Sequence, residues 1–125
     1  MKLATFKHQG RRMVGPVSAD GTSVQPLRLP QGAADKGVLA LVQEAAEGKP
    51  MPPPEGAALP LEAVTLEAAI PVPRRNIFCV GRNYHEHAKE LSTSVFKDNN
   101  ANPAAWPIVF TKVPECVIPT GCPVR

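Results

Sequence analysis

Apolar and polar residues alternate in short bursts through the opening "KLATFKHQGRRMVGPVSADGTSVQPL", which is the two-residue period of a strand with one covered face. Two breaks punctuate it, "QG" at Gln9 and "DG" at Asp20, and both are hairpin signals. The pattern predicts a small antiparallel meander. The period then changes in "DKGVLALVQEAAEG", where Val38, Leu39, Leu41, Val42 and Ala45 recur at helical spacing. Asp35 is available as its N-cap and Gly48 stands just past its end, so a short amphipathic helix is expected. "KPMPPPEGAALP", residues 49–60, cannot be regular structure, because proline removes backbone donors and restricts the residue before it. It reads as a linker or an extended crossing. Beyond it come "LEAVTL", the apolar run "NIFCVG" as a buried strand, a helix over "NYHEHAKEL", a polar loop over 92–106, and "PIVFTKVP" as a further strand.

This order of elements predicts an α+β, strand-rich fold. Residues 1–50 form a small N-terminal domain of meander and helix, 51–74 a proline-rich linker and first strand, and 75–125 the beginning of a second domain. The last residues, "CVIPTGCPVR", follow strand-like segments without a cap or a covering element. The expectation is therefore a chain that stops inside its second domain.

Composition narrows the class. With 43% hydrophobic and 20% charged residues and a net charge of +3, the chain has the make-up of a globular domain with one modest core. Its basic residues are scattered and little interleaved with aromatics, which argues against a nucleic-acid partner. No apolar run approaches a signal peptide or a membrane span, so no membrane partner is expected and a cytoplasmic location is. Cys79, Cys116 and Cys122 are odd in number and form no CxxC unit, which fits a reducing compartment. Fifteen prolines, against an average of about 5%, exclude long helices from the middle and the C-terminal half.

The segment "GRNYHEHAKE", Gly81 to Glu90, concentrates the polar chemistry. Asn83 followed by Glu86 is an N-cap pair that starts a helix at Tyr84. At 100° per residue, Tyr84, Ala88 and Leu91 share one face, and His87 falls at its edge with Glu90 at i+3. A carboxylate one turn along can orient an imidazole and raise its basicity, so His87 and Glu90 form a candidate general acid/base dyad. Arg82 and the free N–H groups at the helix start offer positive potential to an anionic substrate. Spacing alone leaves a second reading open, an ordinary capped surface helix with no catalytic part. His85 and His87, at i and i+2, point to different sides and make a poor metal pair. Glu62 and Glu67 are separated by an odd number, so a strand would send them to opposite faces. Lys112 closes a strand, where side chains often meet a ligand.

The run "IFCVGRNYHEHAKE", followed by "PIVFTKVPECVI" and "GCPVR", resembles the fumarylacetoacetate hydrolase family, whose members carry a VG-x-NY-xx-H-xx-E segment and then a strand of the F-x-K-P type. The resemblance covers 75–125 and extends to the "MKLATF" opening with its DG turn. It implies that the second domain begins the family's mixed β-roll. The implied activity is a hydrolase that breaks a C–C bond in a 2-oxo or 1,3-dicarbonyl acid such as an acylpyruvate, as in the breakdown of aromatic compounds. Isomerase or oxaloacetate decarboxylase activity is the alternative within the family. The implied catalytic pair is His87 and Glu90, with Arg82, Asn83, Tyr84 and Lys112 on the substrate side. The implied cofactor is Mg²⁺ or Mn²⁺, and the full-length enzyme is expected to be a homodimer. The family's E-x-E metal pair lies downstream of the "PV" strand and has no counterpart before Arg125, so this chain is expected to lack the metal ligands and to be inactive alone.

Overall fold

The computed structural model describes residues 1–81 and 108–124. They fall into two compact units, one of 1–73 with 115–125 and the other of 74–114.

The first unit is built on a five-stranded antiparallel sheet in the order β4-β3-β2-β1-β5, with β1 at Lys2–His8, β2 at Arg11–Val17, β3 at Ser23–Val24, β4 at Leu59–Pro60 and β5 at Thr65–Leu66. The "QG" break is a two-residue turn, with His8 paired to Arg11 and positive φ at both Gln9 (49°) and Gly10 (79°). That is the backbone twist a two-residue hairpin needs. The "DG" break closes on Ser18, whose carbonyl accepts from the Gly21 amide, while the Asp20 carboxylate accepts from the Thr22 amide and hydroxyl and from the Ser18 hydroxyl. These donors hold the Asp20 carboxyl below its ordinary pKa, the Ser18 hydroxyl most of all.

Gly15 in β2 marks a close approach. A Cβ there would stand 1.8 Å from the Gln25 carbonyl oxygen, because the segment after β3 continues along β2 through Gln25 N–H to Pro16 O and Leu27 N–H to Val14 O. Leu27 and Leu29 turn inward and Arg28 outward, and the two leucines join Val14, Ala34, Val38 and Leu41 in the core.

Two helices cover this core, α1 at Gln31–Ala34 and α2 at Val38–Ala46. This corrects the single helix capped by Asp35. Asp35 instead terminates α1, and α2 starts from Gly37 with no side-chain cap. The reason is tertiary: the Val38 amide donates to the Ala69 carbonyl at 2.8 Å and to the Thr5 hydroxyl at 3.1 Å. Gly37 sits at φ 65°, where a Cβ would lie 2.6 Å from Ala69 O, Pro71 Cδ and Thr5 Oγ1. The C-terminus follows sequence expectation. Gly48 has φ 73°, its amide donates to Ala45 O and the Lys49 amide to Glu44 O, the paired bonds of a Schellman motif. The buried face of α2 is Val38, Ala40 and Leu41, while Val42 and Ala45 are exposed, because a helix this short lays only its first turn against the sheet.

The proline-rich stretch is an extended crossing. Pro53 O accepts from the Arg28 amide, Pro54 bridges Leu27, and the Glu55 amide donates to Pro26 O. Proline cannot donate to a ladder and is tolerated at such an edge. Residues 51–73 fall within the first unit, where β4 and β5 form the two outer strands of its sheet.

The second unit contributes a two-stranded antiparallel sheet, β6 at Ile77–Gly81 and β7 at Ile108–Lys112. Both are the β-branched and aromatic runs expected from sequence. The expected burial of β6 is not found. Ile77, Phe78 and Val80 are exposed, because among the described residues only β7 lies beside them in the sheet. The whole is a mixed, strand-rich α+β fold.

Candidate functional site

Gly81 is the last residue of β6, and the "RNYHEHAKE" segment follows it directly in the sequence. Arg82, Asn83, Tyr84, His87 and Glu90 lie outside the described residues. Lys112 is described and closes β7. In the ladder Gly81 pairs with Ile108 and Ile77 with Lys112. Lys112 thus stands at the far end of the sheet from Gly81, a backbone separation of about 14 Å over four residues at roughly 3.4 Å each. Cross-strand parity sets its face. Ile77, Cys79, Phe110 and Lys112 share one side, whereas Phe78, Val80, Val109 and Thr111 share the other. Lys112 is exposed, and its Nζ lies 5.7 Å from the centre of the Phe110 ring, a contact worth about 0.5–1 kcal/mol at an exposed position.

A second concentration of charge surrounds the β1–β2 turn, beside an open groove of about 560 Å³ lined by Lys7, Arg11, Arg12, Gln31 and Asp35 with the turn residues. The hairpin register places Lys7 directly opposite Arg12, and two like charges at such a pair repel. Glu67, held beside β1 by the hydrogen bond its backbone amide donates to Thr5 O, resolves this. Its carboxylate accepts from Arg12 Nε at 2.5 Å and Nη2 at 3.0 Å and pairs with Lys7 Nζ at 3.2 Å. The Arg12 hydrogen bonds lower the Glu67 pKa most; partial burial opposes them and Lys7 adds to them. Arg11 reaches Glu55 at 2.9 Å and Gln31 at 3.2 Å, and Gln31 donates to Asp35. Every cation around the groove thus meets a protein acceptor, and the cluster ties β1, β2 and the proline-rich crossing together without a spare charge for a ligand. Strand parity between Glu62 and Glu67 gives no hint of this role for Glu67. The signal that could have found the cluster is the two-residue turn itself, which fixes Lys7 against Arg12 and demands an anion.

The remaining ionisable groups are dispersed. Among the described residues no three His, Cys, Asp or Glu side chains converge as metal ligands would, so these residues do not fit a divalent-cation site. The thiols of Cys79, Cys116 and Cys122 are free. His8 Nδ1 lies 3.2 Å from the Ala63 carbonyl, a bond between neighbouring chain segments. Among the described residues no helix is long and apolar enough to cross a membrane.

No family model matches the chain. Over 61 residues it is 41% identical to oxaloacetate tautomerase YisK of Bacillus subtilis (strain 168), a match covering 49% of this chain and 18% of that protein. Its fold resembles fumarylacetoacetate hydrolase (EaFAH) from psychrophilic Exiguobacterium antarcticum, with a TM-score of 0.51 and 27% identity over 94% of this chain and 37% of that one. The chain therefore spans less than two fifths of either relative. Both likenesses support the fumarylacetoacetate hydrolase family.

Proposed function

We propose that this chain, a relative of the fumarylacetoacetate hydrolase family, contributes the acid/base residues of a metal-dependent enzyme that cleaves a C–C bond in a 2-oxo or 1,3-dicarbonyl acid such as an acylpyruvate. The observation that carries this reading is the RNY-xx-H-xx-E segment directly after Gly81, the end of β6, in a chain whose fold is similar to a fumarylacetoacetate hydrolase.

In this reading Glu90 accepts the hydrogen of one imidazole nitrogen of His87, and the other nitrogen takes a proton from water. The hydroxide so formed adds to the substrate carbonyl. Collapse of the adduct breaks the adjacent C–C bond, and the electron pair leaves on an enolate carbon that recovers its proton from the His87 imidazolium. Arg82, with the backbone amides that follow it, holds the substrate carboxylate. Asn83 and Tyr84 shape the pocket, and Lys112 faces the substrate. A bound Mg²⁺ or Mn²⁺ would supply polarisation of the substrate carbonyl, with ligands from outside the described residues. The complete enzyme assembles as a homodimer.

A second reading has its own support. The 41% identity to an oxaloacetate tautomerase favours proton transfer between carbon and oxygen of a 2-oxo diacid, with the carbon skeleton intact. The same dyad would serve, the imidazole removing a proton beside the carbonyl. Assay of the product of the full reading frame with acetylpyruvate, fumarylpyruvate and oxaloacetate, with and without Mg²⁺, separates the two. Cation-dependent cleavage of an acylpyruvate supports the hydrolase. Enol–keto interconversion of oxaloacetate without cleavage replaces it by the tautomerase. Under either reading, His87→Ala lowers kcat by about 10²–10⁴, the range of a general base, with an unchanged circular dichroism spectrum. Full turnover in that variant removes His87 from the mechanism.

A further inference from the structure

We draw no further inference here: the strongest candidate, the two-stranded β6–β7 sheet that exposes Phe78, Val80 and Val109 on one face and Ile77 and Phe110 on the other, carries nothing because no observation in the structure shows what covers it.

Discussion

Replacing Thr5 by valine tests how the first unit closes on its helix. Thr5 is fully buried, and its hydroxyl donates to Ala69 O at 2.7 Å while accepting from the Val38 amide at 3.1 Å. Val38 N–H also donates to Ala69 O at 2.8 Å, so the three groups form a triangle. The triangle sets the size of the effect. If valine left both backbone groups orphaned, each would cost about 1–3 kcal/mol. They keep each other instead, and what is lost is one short hydrogen bond and the longer arm of a shared one. At about 0.5–1.5 kcal/mol for a net hydrogen bond, the variant should lose about 1.5 kcal/mol. At roughly 4–8 °C per kcal/mol for a domain of 60–100 residues, that lowers Tm by about 6–12 °C. Thermal unfolding followed by far-ultraviolet circular dichroism reads the shift, and amide exchange at Val38 reports the triangle directly. Protection of Val38 should fall in Thr5→Val and persist in Thr5→Ser, which keeps the hydroxyl. Native stability and unchanged Val38 protection in Thr5→Val would refute the triangle as a source of stability.

Gly15→Ala should cost about 3 kcal/mol in urea unfolding, since its Cβ meets Gln25 O at 1.8 Å and backbone must move; a loss within about 0.5 kcal/mol would mean the approach relaxes freely. The depressed pKa of Glu67 contributes stability that is present above the ordinary glutamate value and lost as pH falls through the lower folded-state value. Glu67→Gln should therefore flatten the acid limb of the stability–pH curve below about pH 4.5 and cost about 1 kcal/mol at neutral pH, with the pair discounted for its partial exposure; parallel acid limbs in both proteins would count against the pair. Under the proposed function, Lys112→Met should raise KM about tenfold with little change in Tm, because its visible contact is an exposed one over Phe110; an unaltered KM would take Lys112 off the substrate side.

Local chemistry made some of this fold legible and tertiary chemistry hid the rest. The Gln9-Gly10 turn and the Gly48 stop depend on backbone geometry that neighbouring residues dictate, and both stand where the sequence puts them. The start of α2 does not, because its cap is a carbonyl and a hydroxyl from Ala69 and Thr5, remote in the chain. The prolines made the crossing readable as extended but could not name Pro26 to Arg28 as its neighbours. The Lys7–Arg12 pairing emerges only from the hairpin register, and nothing local to either residue selects Glu67 as their shared anion. For the candidate site, the strand that ends at Gly81 and the one that ends at Lys112 were readable from their apolar runs. The dyad itself rests on spacing and family likeness, since His87 and Glu90 lie outside the described residues.

The sheet order has a bearing on how this polypeptide emerges from the ribosome. The β1–β2 hairpin can zip as soon as its residues are out and β3 can follow at once, but the two outermost strands of the sheet, β4 and β5, arrive only with residues 59–66, and the acceptor of the Thr5 hydroxyl only with Ala69. Until then a nascent chain carries open strand edges that can pair with another copy. A protein cut at the compositional break near residue 50 would be frozen at that stage, whereas one ending after Pro73 would retain all five strands.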